Sequence, residues 1–438
     1  MTDGVSPEPT LTEPDPVPKT GMWAPLAHRN FFLLWSGQAL SSVGNQMFPI
    51  IIALLVLDRG AGAGGLGLIL AIQGISLAIG TILAASIGDR WRRTRVMIGT
   101  DVVRALGVAV IAVSPLHVPT GVFIAFVIPI GVAEGMFLPA YGAVVPRVLP
   151  AALLQGGNAL TSLTQYAAMV LGPLLAGVLV AVMGPGPAMW VDVITFVASV
   201  GTLVLIKEGA TESAEHPADG SRGGILRSSA RDLAEGLRAV RSRPWIAVSI
   251  GTSTITMTFV VAPAFLAAPI LARQHLGGAA AYGAMFTALG VGSIVGSVLG
   301  GKIRSRRPGV IAFTALFTIV GSVSSLAFLP LPGILVFWGI AGIGVTIYQI
   351  LWMTGLQQDV PDRLLGRVMA LDWLGSQGLM PLGYALAGVA VGAIGIRAML
   401  VAGVILLIII DPLPLLVPGG TTLSTPKETV ASQEGSAA

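Results

Sequence analysis

A few charged side chains stand within stretches of this 438-residue sequence that are otherwise almost wholly apolar, and these are the residues able to do chemistry. A charge held mid-bilayer costs roughly 2.5–3.5 kcal/mol on insertion scales, so each needs a reason to be there. Glu134 has no charged residue near it and lies well inside its apolar run. A lone carboxyl in such a place can take up and release a proton, which makes Glu134 the first candidate for a proton-coupling group. The competing reading is a neutral packing residue held by hydrogen bonds. Asp101 and Arg104 stand three apart on one helical face and can pair. A structural ion pair near the end of their helix, within reach of Asp89 or Arg90, is favoured over a ligand contact.

Other chemistries lack their residues. There is no cysteine, which excludes disulfides and thiolate metal sites, and none of the four His makes a metal-ligand pair. A Gly-x-x-x-x-Gly-Lys-Ser/Thr phosphate cradle is absent, and no soluble segment is large enough to hydrolyse ATP. Neither a metal nor another cofactor is expected, and any uphill work must draw on an ion gradient.

The elements that must position these groups follow from composition. Hydrophobic residues make up 54% of the chain and charged residues 11%, with a mean hydropathy of +0.84. A soluble domain carries about 25% charged residues, so the chain reads as an all-α integral membrane protein. A span needs about 20 apolar residues. Twelve such runs occur, at residues 31–57, 66–88, 95–114, 120–144, 158–183, 187–206, 245–272, 281–301, 309–329, 333–356, 368–392 and 396–417.

Of the 25 Lys and Arg, 21 fall in one set of loops and the tails, Arg59, Arg273 and Arg397 fall on the opposite side, and Arg104 lies within a span. That asymmetry predicts both termini in the cytoplasm of a cell with the chain in its cytoplasmic membrane. It also assigns the net charge of +4 to topology, so no nucleic-acid partner is expected. Residues 1–27 are Pro-rich and polar, and with residues 418–438 they read as disordered cytoplasmic tails; nothing resembles a cleaved signal peptide. The linker 207–243 separates six-helix bundles at 28–206 and 244–417. Its second part places Leu226, Ala230, Leu233, Leu237 and Val240 at helical spacing and predicts an amphipathic helix. In the last run Asp411-Pro412-Leu413-Pro414 must kink or end the helix.

The two bundles repeat one design. Gly80, Leu83, Ile87 and Arg90 correspond at constant offset to Gly296, Leu299, Ile303 and Arg306. Asp89 to Arg95 forms a short, strongly basic turn between the second and third runs. With Asp101-Val-Val-Arg104, Phe137-Leu-Pro-Ala-Tyr141 through Pro146, Asn158-Ala-Leu, and Pro361-Asp-Arg-Leu-Leu-Gly-Arg-Val-Met369, this pattern resembles the major facilitator superfamily over about residues 28–417. Within it, the chain looks most like the macrolide-efflux and enterobactin-exporter group.

The resemblance implies twelve helices in two pseudo-symmetric bundles that rock about a central cavity. Asp89, Arg90 and Arg93 match its loop signature, which in the family holds the cytoplasmic faces together. Ala85, Arg92 and Thr94 depart from the signature, and Ser305 replaces the acid in the second copy. Asp101, Arg104 and Asp372 are assigned to the same cytoplasmic gate. Gly172-Pro173-Leu174-Leu175-Ala176-Gly177 resembles the exporters' antiporter motif, with Ala176 in place of a Gly. Asp192 is a structural residue or a second coupling candidate.

Because the superfamily binds substrate between its halves at mid-membrane, the expected lining is Gln38, Asn45, Gln46, Gln73, Gln165, Tyr166, Thr254, Thr258, Tyr348, Gln349, Trp352 and Gln377. About half of these are expected to serve interhelical hydrogen bonding instead. Amides and aromatics with few charges suit a large amphipathic substrate. The expected activity is export of drugs or secondary metabolites by proton antiport, by a monomer in the lipid bilayer and without enzymatic chemistry. Import of a small metabolite and a non-transporting receptor or scaffold are the alternatives.

Overall fold

The computed structural model describes residues 23–87, 92–114, 120–206 and 234–425. Among these, twelve helices are long and apolar enough to cross a membrane. Spans 1 to 6 are Arg29–Asp58, Gly62–Ile87, Arg93–Val113, Thr120–Val148, Leu154–Met183 and Pro185–Val204. Spans 7 to 12 are Pro244–Leu276, Ala279–Gly300, Pro308–Phe328, Leu331–Asp359, Arg363–Ile394 and Ile396–Leu416. A helix satisfies every backbone N–H and C=O within one segment, which is what lipid demands. The twelve sequence runs overlap these spans; span 11 starts several residues earlier than expected because Pro361 caps it directly.

Glycine explains why the two halves repeat. Gly80 in span 2 lies against the Val132 backbone of span 4, and Gly296 in span 8 lies against the Ile343 backbone of span 10; a Cβ at either position would overlap main chain. Small residues at such crossings let helices approach closely enough for packing to hold them in lipid. The turns match as well. Gly184 ends span 5 at φ 84° and ψ 165°, and Gly395 ends span 11 at φ 80° and ψ 160°, a conformation open to glycine.

The halves meet through spans 2 and 11 and through spans 5 and 8. Gly67 abuts Tyr384 and Gly388, Gly74 abuts Pro381, and Gly177 abuts Gly283. Arg273, at the end of span 7, pairs with Asp58, at the end of span 1, at 3.0 Å. With an even number of spans the termini share one side, and these contacts lie from mid-span outward on the far side.

Three expectations at the margins change. Residues 1–22 lie outside the described residues, but Ala24–Ala27 forms a short helical turn that buries Pro25, so the fold begins before residue 28. Of the linker, 207–233 lie outside the described residues, and 234–241 are helical. That helix docks through Gly236, Ala239 and Val240, while Leu237 is exposed, because Gly236 fits against the Arg367 and Leu371 side of span 11 and Glu235 pairs with Arg367.

The fold also continues past 417. The α-helix of span 12 ends at Ile410 as Pro412 requires, and after a short turn over Leu413–Leu416 the chain folds back so that Leu423 is buried and Thr425 meets Asp359. Residues 426–438 lie outside the described residues.

Candidate functional site

The charged residues of spans 3, 4 and 6 converge inside the first half. Arg104 is fully buried and pairs with Asp101, one turn back on the same helix. Its Nη1 donates to Asn45 Oδ1 of span 1 at 2.9 Å. Its guanidinium carbon sits 4.6 Å from the Phe137 ring centroid of span 4 and 4.5 Å from that of Phe196 in span 6. Aromatic faces attract a desolvated cation, and the planar guanidinium suits stacking between two rings. One side chain thus links four helices.

Two further carboxyl groups lie within its field. Asp192 interacts electrostatically with Arg104, Asp101 and Glu134. Its Oδ1 accepts from Thr195 Oγ1 at 3.4 Å and lies so close to Gly44 that a Cβ there would overlap it. Glu134 interacts with Arg104 and with the Gln73 amide of span 2. Asp101 Oδ2 and Asp192 Oδ2 are buried without a hydrogen-bond partner. The arrangement is one cation facing three carboxyl groups, with Arg104, Asp101 and Asp192 buried and Glu134 half-buried.

This placement differs from the sequence assignments. Asp101 and Arg104 form their pair, but their partners are interior groups, whereas the sequence assigned them to the gate. Arg104 lies eleven residues beyond Arg93, which is about 16 Å along a helix. Asp192, expected as a structural residue or a second coupling candidate, is buried inside the bundle beside that pair. Asn45 and Gln73, expected in the cavity lining, belong to this cluster instead. Gly44, Phe137, Thr195 and Phe196 escaped sequence reasoning. The Gly-Asn pair at 44–45 and the phenylalanine of the quoted 137–141 run were the available signals.

The gate is seen only in part. Asp89 and Arg90 lie outside the described residues, and Arg93 opens span 3. Asp372, expected near that loop, accepts from Trp352 Nε1 at 3.2 Å within its own half. Trp352 and Tyr348 are buried there and stacked at 6.1 Å, with the Trp245 ring edge-on at 5.5 Å, so neither presents its ring to a central cavity as expected. A buried indole needs a hydrogen-bond acceptor, and Asp372 supplies it.

Other lining candidates divide by exposure. Gln46, Gln165, Tyr166, Gln349 and Gln377 are exposed at mid-span. Gln38 donates to Ser42 Oγ in its own helix at 3.1 Å. Thr254 and Thr258 flank the crossing of spans 7 and 11, where Gly375 meets Thr254 and Gly383 meets the Thr258 backbone. Both spans relax into a π-helical turn there, Met257–Val261 and Leu374–Gly378. Such turns locally loosen a helix and recur at functional sites.

The Gly172–Gly177 stretch occupies two interfaces at once. Gly172 lies against Gln46 and Val43 of span 1, and Gly177 lies against Ala279 and Gly283 of span 8 in the other half. Ala176 is fully buried between them, and the carbonyl of Pro173 abuts Gly283.

Comparison with known proteins agrees with this architecture. Macrolide efflux protein A of Streptococcus pyogenes is 22% identical over 375 residues, covering 84% of this chain and 90% of that protein. The enterobactin exporter EntS of Citrobacter koseri is 25% identical over 386 residues, covering 82% and 87%. Among solved structures, the nucleoside transporter NupG superposes with a TM-score of 0.65 at 11% identity, covering 88% of this chain and 98% of that one. A POT family transporter in complex with 5-aminolevulinic acid gives 0.64 at 12% identity, covering 89% and 96%. These structures share the fold. The sequence profile of the Major Facilitator Superfamily matches residues 34–381, and the chain is a member of that superfamily, a multi-pass membrane transporter and not an enzyme.

Proposed function

We propose that this transporter is a proton-coupled exporter of amphipathic drugs or secondary metabolites, acting as a monomer in the cytoplasmic membrane with both termini in the cytoplasm. The observation that carries the reading is the cluster of Asp101, Glu134 and Asp192 around Arg104. One guanidinium balances one carboxylate, and among the described residues no second cation faces the cluster. Two uncompensated charges in an apolar interior are costly, and bound protons remove them. Proton arrival and departure therefore change the net charge at the junction of spans 1, 3, 4 and 6. That change shifts the balance between conformations open to either side.

Export as the direction is supported by the Gly172–Gly177 stretch at the crossing between halves and by the exporters among the relatives. With the termini cytoplasmic, the far-side contacts describe a transporter closed to the outside. The exposed amides Gln46, Gln165, Gln349 and Gln377, with Tyr166, are the proposed substrate-facing groups.

The test is energised efflux from cells lacking their own pumps, loaded with a panel of dyes and macrolide-like antibiotics. The expected result is lower retention that returns to control with a protonophore and in Glu134→Gln. Retention unaffected by the protonophore overturns proton coupling, and gradient-driven uptake of a metabolite by the same cells would favour the importer.

A further inference from the structure

The other half holds a further buried carboxyl group that this mechanism does not use. Asp411 caps the last α-helical turn of span 12, its backbone N–H bonded to the Leu407 carbonyl at 3.0 Å. The residue is 3% exposed, and its Oδ2 has no hydrogen-bond partner. Among the described residues no cation pairs with it. Its polar neighbour is Tyr348, whose hydroxyl is shared with Ser253 at 3.4 Å.

Asp411 borders a cleft of about 590 Å³ between spans 9, 10 and 12, walled by Phe313, Phe317, Gly321, Phe337 and Ile340. The cleft exists because span 9 breaks at Phe317, between helices Pro308–Leu316 and Thr318–Phe328, and because Gly321 carries no side chain where it passes Phe337. Span 9 packs on spans 10 and 12, and the principal contacts with the first half are made by spans 7, 8 and 11. Phe317, Phe337 and Ile340 are 39%, 37% and 41% exposed, so the cleft opens sideways toward lipid. On span 9 its wall runs from about 8 to 20 Å from the terminus-side end, across the middle of a span about 31 Å long.

The geometry points to a binding site for a lipophilic amine that enters sideways from the lipid, its ammonium on Asp411 and its apolar body among Phe313, Phe317, Phe337 and Ile340. An unpaired carboxylate in an apolar wall favours a cation that brings its own apolar surface, and the aromatic faces add to that attraction. A cleft of this size is that of a small-molecule pocket. Among the described residues no Lys, Arg or His lines it, so the phosphate of a zwitterionic phospholipid would find no partner there. The site stands independently of proton coupling and of which compounds are exported.

The full-length protein in phosphatidylcholine nanodiscs, labelled with a benzophenone-bearing dodecylamine and mapped by mass spectrometry, tests this. Crosslinks are expected in residues 313–321 and 411–415. They should fall about tenfold with the matching dodecanol probe or in Asp411→Asn, as loss of about 1.4 kcal/mol of attraction would give. Ile340→Trp fills the cleft while leaving Asp411 in place, and it should abolish labelling even if Asp411→Asn folds poorly. Equal labelling by amine and alcohol, or labelling elsewhere only, overturns the site. Suppression of labelling by phosphatidylethanolamine in the nanodisc would assign the cleft to a lipid and overturn the small-molecule occupant.

Discussion

Arg104 donates to Asn45 across 2.9 Å, and this bond fixes the orientation of a guanidinium held between the rings of Phe137 and Phe196. Removing the cation leaves Asp101 and its neighbours without a counter-charge, and breaking a buried pair typically costs about 3–5 kcal/mol. Arg104→Ala should therefore lower the thermal midpoint of the purified protein sharply. Arg104→Lys keeps the charge but loses the fork and the stacking, and should fall between. A double-mutant cycle of Arg104→Gln with Asp101→Asn, read by thermal unfolding, should show the double variant more stable than the two single losses added together.

If the cluster holds exchangeable protons, substrate binding should release them. In a weakly buffered detergent solution of the purified protein, adding an exported compound is expected to acidify the medium. Glu134→Gln and Asp192→Asn should each reduce the release, and the pair together should abolish it. Substrate affinity measured across pH should rise toward alkaline pH in the parent, because fewer protons then need to leave, and flatten in the double variant. A substrate that binds without any proton release would remove the cluster from the coupling mechanism.

Asp58 and Arg273 join the two halves on the far side at 3.0 Å, and both are more than a third exposed. An exposed pair contributes little to stability. Its value is as a reporter, because the chain has no native cysteine. Replacing both residues with cysteine and bridging them with a short bismaleimide should hold the far side shut and arrest transport. Each single variant, treated alike, should keep its activity. Continued transport by fully crosslinked protein would show that these ends do not separate during the cycle.

What the sequence could convey depended on whether the signal was local. Each span is a run of apolar residues, so the spans could be read directly, and the Gly80 and Gly296 correspondence carried the repeat. The i,i+3 spacing of Asp101 and Arg104 carried their pairing as well. The cluster around Arg104 was not legible as a whole, because Asn45, Glu134, Phe137 and Asp192 are brought together only by the crossing of four helices. Tyr348 and Trp352 were misassigned for the same reason. A polar group's depth in its span is a local property, while the face it presents depends on the neighbour it packs against.

The chain after span 12 shows how a polar tail can be part of a membrane fold. Asp359, at the end of span 10, accepts from the Thr425 backbone at 2.8 Å, from its hydroxyl at 2.6 Å and from Trp245 Nε1 at 2.9 Å, with Arg243 beside it at 3.4 Å. Gly309 donates to the Thr421 carbonyl at 3.0 Å. Leu423 takes a left-handed φ of 51° to turn its side chain inward against Gly355, a strain of about 1–2 kcal/mol that its burial offsets. This fold-back ties together the terminus-side ends of spans 7, 9, 10 and 12. Hydrogen bonds to a charged acceptor contribute about 1.5–3 kcal/mol each, so the tie is substantial. Deleting residues 419–438 should lower the thermal midpoint clearly, and Leu423→Asp should do much the same in the full chain. Deleting only 426–438 removes none of these contacts and should leave the midpoint unchanged. If both deletions melted alike, Asp359 would be satisfied by Trp245 and Arg243 alone, and the fold-back would contribute nothing to stability.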